Sequence, residues 1–466
     1  MRQSVALAVA LIICCIAPGA YAQDQPEVHQ FTADQAVEYA LKHSLQVQNA
    51  LLDIKAQQMQ NKQVTAAALP SLSASGGMSM NPNVQVMTFP NFIAQSTYAV
   101  LVANQVKKGD GTPITAPDDF GTINAGFATK WSLSGGVDLT QILFDGQVFV
   151  GLMARNAAVK NAELASEVTR EQIKANVLKI YYQLAVGQQQ ISTIDANIKN
   201  VEQLLHDTKL IYENGFAEKL DIDKVQVQLS NLQTQRLKAQ NQIDAGVEAL
   251  KFLLGMPMQD SLVLTESITD DKLKSNILGE EYHFEDRVDY QQLKNLEELN
   301  KLNVKRYQLS KLPTLVFAAN YSKNAQRQEF DFFKGPYFTS SFLALRLNVP
   351  IFSGLGKNAQ IESARITLRQ TQNNLKLLES SITNDIRQSR LNMKTALYNM
   401  DTQKKNIELA DQVYKTTKLK YEQGVGSNLE ISSAQTELIM AQNNYYSSLY
   451  DAIIARIDFL KAAGKL

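Results

Sequence analysis

Cysteine is all but missing from this chain: the only two, Cys14 and Cys15, lie in its N-terminal apolar stretch. Met1 and Arg2 give that stretch a positive start, residues 5–16 an apolar centre, and Ala20-Tyr21-Ala22 a small-x-small exit. This is the pattern of a secretory signal peptide, spanning residues 1–22. Neither Ile13 nor Cys14 is the small residue that a lipoprotein carries before its modified cysteine. The mature chain, starting near Gln23, is expected to be exported, unlipidated and free of thiols. With no disulfide available, its stability has to come from packing or assembly.

Long hydrophobic runs are also missing: no segment after the leader reaches the roughly 18 consecutive apolar residues of a membrane-spanning helix. Neither sign of charge is in excess, with 46 Lys and Arg against 46 Asp and Glu, and no basic block marks a nucleic-acid surface. The four histidines, His29, His43, His206 and His283, are scattered without ligand spacing, so no metal site is expected. No P-loop, nucleophile elbow, HExxH motif or Gly-rich dinucleotide turn stands in a fitting context. The chain reads as no enzyme, with no catalytic residue and no cofactor.

What the chain does have is a repeat. Leu69-Pro70 returns as Leu312-Pro313, Phe144-Asp145-Gly146 as Phe352-Ser353-Gly354, and Tyr212-Glu213-Asn214-Gly215 as Tyr421-Glu422-Gln423-Gly424. The last two landmarks of each copy are separated by about 70 residues, far more than a solenoid module. The first repeat is placed at 23–255, a linker at 256–285 and the second repeat at 286–466. A first helix opens at Thr32, a plausible N-cap with Gln35 three residues later, and runs to Leu69-Pro70. A corresponding helix precedes Leu312-Pro313.

Strands are expected at about 71–80 and 127–143 in the first copy, and at about 314–324 and 338–352 in the second. Trp131, Leu133, Val137 and Leu139 alternate with Ser132, Ser134, Asp138 and Thr140, and Leu343, Leu345, Leu347 and Val349 alternate with Ala344, Arg346 and Asn348. Such strands have one apolar and one polar face. A soluble sandwich would satisfy them, and so would a transmembrane barrel, given the aromatic residues near their ends (Trp131, Tyr337, Phe338). In a barrel, Asp138, Arg346 and Asn348 would face the lumen. The first copy carries about 35 extra residues between its strands, read as a long external loop over 81–124.

After Gly146 and Gly354 the period changes. Ile173, Val177, Ile180, Leu184, Gly187, Ile191, Ile194, Ile198, Val201, Leu205, Thr208 and Tyr212 step by alternating fours and threes. A weaker seam at an offset of 209 runs from Ile382 to Tyr421. Sustained heptads predict coiled-coil packing along a helix of about 100 Å. Gly215 and Gly424 end these helices, and shorter helices return from each tip. Four strands cannot close a barrel, and open sheet edges do not survive in hydrocarbon. Assembly is therefore required, and strands closing one tube while helices line another make a conduit.

In this order and duplication the landmarks resemble the TolC-type outer-membrane efflux proteins over essentially the full mature length. Arg287-Val288-Asp289 is similar to that family's Arg-Pro-Asp at the start of the second copy's first helix. Residues 421–427 resemble its periplasmic tip. The resemblance implies a mainly α fold with β: a duplicated helix–strand–strand–helix unit, four strands per chain in a transmembrane β-barrel, and a long periplasmic α-helical barrel. It further implies a homotrimer in outer-membrane lipid, a periplasmic adaptor, and an inner-membrane pump of RND or ABC type. The implied function is a duct exporting small molecules or proteins. Tyr212, Gly215, Tyr421, Gly424, Val425, Gly426 and Ser427 become adaptor-docking candidates, although Ala217 and Glu218 replace Gly426 and Ser427 at the first tip. Asp221 and Glu430, equivalent at the offset of 209, are candidates for an acidic entrance constriction. The plain alternative is an acid in a first helical turn, favoured by the helix dipole. A secreted coiled-coil structural or adhesin-like protein is the rival reading of the whole, and it leaves the four strands unexplained.

Overall fold

The computed structural model describes residues 27–84, 86–126, 129–266 and 282–466. The expected leader, and residues 267–281 of the expected linker, lie outside the described residues. In chain order the elements are β1 (Val28–Phe31), α1 (Ala33–His43), α2 (Leu45–Ala66), β2 (Ser71–Met80), β3 (Val86–Pro90), α3 (Phe92–Ala103) and β4 (Thr122–Gly126). There follow β5 (Trp131–Phe144), α4 (Gly146–Glu213), α5 (Lys219–Leu254), β6 (Ser261–Leu264) and α6 (Val288–Leu309). The chain closes with β7 (Thr314–Arg327), β8 (Phe338–Asn348), α7 (Gly356–Glu422) and α8 (Asn428–Ala462). It divides into two compact units, a helical one from the described parts of 1–58, 156–299 and 368–466, and a strand-rich one from 59–155 and 300–367.

In the helical unit, Thr32 caps α1 through a capping box: its Oγ1 accepts from the Gln35 N–H, and the Gln35 Oε1 accepts from the Thr32 N–H at 2.9 Å. The helix expected to continue to Leu69-Pro70 breaks at Ser44. Gly255, at φ +72°, lies so close that a Cβ there would sit 2.5 Å from the His43 carbonyl oxygen. A residue with a side chain would fit neither the space nor the left-handed backbone. Strands β1 and β6 pair in parallel, and the Tyr181 hydroxyl donates to the Phe31 carbonyl at 2.8 Å. Neighbouring Tyr182 is pushed up to about 12 by burial, reinforced by the Glu266 carboxylate.

The heptad positions form the core. Ile173, Val177, Leu184, Ile194, Val201, Leu205 and Thr208 are buried along α4, and Ile382, Ile386, Ser389, Met393, Ala396, Met400 and Tyr414 along α7. The second seam, weaker by composition, is buried at as many places as the first. Near the tips one cluster takes Val201 and Leu205 from α4, Val225 and Leu229 from α5, Tyr414 from α7, and Ile431 and Leu438 from α8. The two helical hairpins thus share a single core there.

In the strand-rich unit, β2, β5, β7 and β8 form one antiparallel sheet in that order, with β2 and β8 as its edges. Strand β5 spans Trp131–Phe144, with residues 127–128 of the expected strand outside the described residues, and β7 extends to Arg327. Strand β8 stops at Asn348, short of the expected 352, because Pro350 has no N–H for the ladder. The 81–124 segment is not a plain loop. It carries β3 and β4, paired antiparallel, and α3 between them. Asn91 caps α3 by accepting from the Ala94 N–H at 3.0 Å, and no proline or glycine interrupts residues 92–103.

Candidate functional site

The two tips are built alike. At the end of α4, Gly215 adopts φ +81°, its N–H donates to the Tyr212 carbonyl at 2.8 Å, and the Phe216 N–H donates to the Ile211 carbonyl at 3.0 Å. At the end of α7, Gly424 adopts φ +74°, and the Val425 and Gly426 N–H groups both donate to the Lys420 carbonyl. These turns satisfy carbonyls that a helix end would otherwise leave unpaired. Gly426 has a second reason to be glycine: a Cβ would sit 2.9 Å from the Tyr421 nitrogen. Ser427 then caps α8, its Oγ accepting from the Glu430 N–H at 3.2 Å.

Both tips line one groove of about 700 Å³, walled by Ile211, Asn214, Phe216, Ala217 and Asp221 from the first and by Tyr421, Glu422, Gly424, Gly426, Ser427, Asn428 and Leu429 from the second. Tyr421 links the hairpins at the groove, its hydroxyl 3.2 Å from the Thr208 hydroxyl. About two turns inward, burial raises the Tyr414 phenol above its ordinary value, with the Glu422 carboxylate adding to the shift. Of the sequence candidates, Tyr421, Gly424, Gly426, Ser427 and Asp221 line this groove. Tyr212, Gly215 and Val425 belong to the same turns but not to its wall.

Asp221 and Glu430 differ in what they do locally. The Asp221 carboxylate reaches back to accept from the Glu218 N–H at 3.2 Å, which caps α5. The Glu430 side chain is exposed, and only its N–H is engaged by the cap. Phe216, 86% exposed, was not singled out from sequence, and Leu429, which follows the second tip, is 67% exposed. The usable signal was an aromatic residue directly after a tip glycine, where no core can take it.

In the sheet, the strand register puts Leu72, Leu139, Ala319 and Leu343 in one row and Val137 beside Tyr321 on the same face. The opposite face carries Ser73, Asp138 and Asn320 in one row, with Arg346 and Asn348 further along β8. Asp138, Arg346 and Asn348 therefore share the polar face, among apolar exceptions such as Ile142, Val316 and Phe342. The Asn320 amide donates to the Asp138 carboxylate at 2.8 Å, a partnership that depends on the pairing of β5 with β7. Among the described residues no helix is long and apolar enough to cross a membrane, and no group of three or more His, Cys, Asp or Glu is placed to hold a metal ion.

Comparison with known proteins gives a consistent answer. A family model described as outer membrane efflux protein matches residues 36–256 and 299–465. The outer membrane protein TolC of Vibrio cholerae is 20% identical over 348 residues, covering 72% of this chain and 77% of that protein. The alkaline protease secretion protein AprF of Pseudomonas aeruginosa is 22% identical over 326 residues, covering 68% and 67%. Among solved structures, a crystal structure of CusC superposes with a TM-score of 0.74 at 14% identity, covering 96% of this chain and 95% of that one.

Proposed function

The chain belongs to the outer membrane efflux protein family, and from that premise we propose that three copies close a twelve-stranded barrel in the outer membrane and continue it as a periplasmic tunnel of helices. The chain is an outer-membrane duct of export systems, and it carries out no chemistry of its own. The observation that supports the trimeric barrel is the sheet: four strands with one apolar face and two unpaired edges, β2 and β8. Unpaired backbone is untenable in hydrocarbon, and an edge is removed only by pairing it. Pairing β8 of one copy with β2 of the next removes every edge. In that arrangement Asp138, Arg346 and Asn348 line a wet lumen. The rival adhesin reading gives this sheet no role.

The tips are the docking end. The exposed Phe216, Val425 and Leu429 surround the groove and suit apolar contact with a periplasmic adaptor that joins the duct to an inner-membrane pump. The family is described for efflux and its relative AprF is named for protease secretion, so cargo choice is assigned to the pump. Photo-crosslinking in cells from position 425, which is exposed and outside the strained glycine positions, tests the docking. Capture of an adaptor together with a proton-driven pump indicates small-molecule efflux, and an ATPase indicates protein export. Crosslinks to neither reject tip docking.

Asp221 and Glu430, three of each in a trimer, form the acidic constriction of the entrance and favour cations, as charged rings do in pores. Asp221→Asn with Glu430→Gln keeps the cap geometry and is expected to weaken cation preference in planar bilayers. Unchanged selectivity removes the ring from the mechanism.

A further inference from the structure

The chain is neutral as a whole, but its units are not. The strand-rich unit carries fifteen Lys and Arg against eight Asp and Glu, an excess of seven that the rest of the chain balances. Part of this excess stands at the junction between β8 and α7. Lys311 Nζ donates to Asn358 Oδ1 at 2.6 Å, and Lys357 Nζ donates to the Ser310 carbonyl. Both partners are neutral, and neither ammonium makes an ion pair among the described residues. Two fixed positive charges therefore stand close together without a carboxylate.

Beside them lies an apolar patch open to solvent. The lipid-side row of β8, Leu343, Leu345 and Leu347, keeps its period of two past the end of the strand through Val349 to Ile351. Ile351 is 95% exposed, Phe352 83% and Leu355 67%. Leu355 also holds a left-handed backbone at φ +64°, a conformation that only a surrounding constraint makes tolerable for a branched side chain. A protein surface facing water has no reason to present these three side chains next to two unpaired lysines.

We propose that this junction binds an anionic phospholipid of the periplasmic leaflet, with the Lys311 and Lys357 ammonium groups on the headgroup phosphate and Ile351, Phe352 and Leu355 among the acyl chains. The site rests on the barrel reading above, since the patch continues the face given there to lipid. Charge complementarity selects the occupant: apolar side chains alone would suit any lipid or a second copy of the chain, whereas two lysines without a carboxylate at headgroup level select a negative headgroup.

The test uses the full mature trimer in detergent, exposed to equal amounts of phosphatidylglycerol and phosphatidylcholine, with retained lipid counted by native mass spectrometry. The wild-type protein should retain the anionic lipid in preference by about fivefold or more. Lys311→Gln with Lys357→Gln should abolish that preference, Lys311→Arg with Lys357→Arg should keep it, and Ile351→Ser with Phe352→Ser should lower retention of both lipids. Equal retention by wild type, or an undiminished preference in the glutamine variant, overturns the site. Efficient disulfide formation between Ile351→Cys on one copy and Leu69→Cys on the next, with no lipid retained, assigns the patch to the subunit contact and overturns it as well. A chain that fails to fractionate with the outer membrane as a trimer sinks the duct reading itself, a result distinct from a trimer without lipid preference.

Discussion

Residues 214–218 and 423–427 reverse the chain at the two tips with different chemistry on one backbone plan. Each has a left-handed glycine after the long helix and a cap on the returning one. The first tip follows its glycine with Phe216, Ala217 and Glu218, and its cap runs from the Asp221 carboxylate back to the Glu218 N–H. The second has Val425, Gly426 and Ser427, and its cap runs from the Ser427 hydroxyl forward to the Glu430 N–H. The glycine is demanded by φ and some cap by the unpaired N–H groups. The identity of the capping group, and the side chains between, are left free. Equivalence in sequence therefore does not carry an equivalent bond: the Asp221 carboxylate accepts from the Glu218 N–H, whereas at Glu430 it is the backbone N–H that the cap engages.

The comparison can be broken first at the seams. Leu184 and Met393 occupy the same place in the two copies and are both buried. Leu184→Ala and Met393→Ala should each cost about 3 kcal/mol, read as matching falls in the thermal midpoint of the solubilised trimer. A much smaller loss at Met393 would show that the second seam is as weak as its composition. Next comes the tip glycine. Gly426→Ala pushes a Cβ into the Tyr421 backbone and should cost about 1–3 kcal/mol locally, seen as faster hydrogen exchange around the second tip, whereas Ala217→Gly should change the first tip by only tenths. Equal effects would mean that the two turns are not distinct. Third, Ser427→Ala should loosen the start of α8 by about 1 kcal/mol, with no change at α5; exchange that spreads to both tips would show that the shared groove, not the cap, is responsible.

The smallest effect concerns pH. Burial raises the Glu171 carboxyl above its ordinary value, with repulsion from Asp289 adding to it and Arg287 opposing, while Ser380 stands at the matching place in the second copy. The folded pKa lies above the unfolded one, so the folded state binds the proton more tightly. Stability from this group is greatest below the ordinary glutamate pKa and is lost as pH rises through the folded value. Glu171→Gln should flatten that slope and leave the variant slightly more stable than the parent at neutral pH. A parallel pair of pH curves would remove Glu171 as the cause.

Much of the architecture was readable because it is periodic. Alternation marked Trp131–Phe144 and Phe338–Asn348, and heptads marked α4 and α7, since each pattern reports which side of a local element meets an apolar neighbour. What failed to show was aperiodic or non-local. The break at Ser44 packs against Gly255, more than 200 residues away in sequence. The helix inside the 81–124 segment escaped because its polar residues Gln95, Ser96 and Thr97 are consecutive and fall on different sides, leaving no single face for periodicity to report. At the candidate site, the tip glycines were legible from turn chemistry. The groove was not, because it exists only where two turns separated by about 200 residues meet.

By itself the sequence determined that this is a duplicated chain with strands that have one greasy face and with long heptad helices, because those properties follow from short-range pattern and from counting. The tertiary structure alone decided that β2 and β8 are the open edges, that Asn320 holds Asp138, that the Asp221 carboxylate accepts from the Glu218 N–H, and that an excess of positive charge gathers in the strand-rich unit of a neutral chain. Each of these depends on which distant segments pair. Pairing is settled by the whole set of competing contacts, and no local stretch of residues contains it.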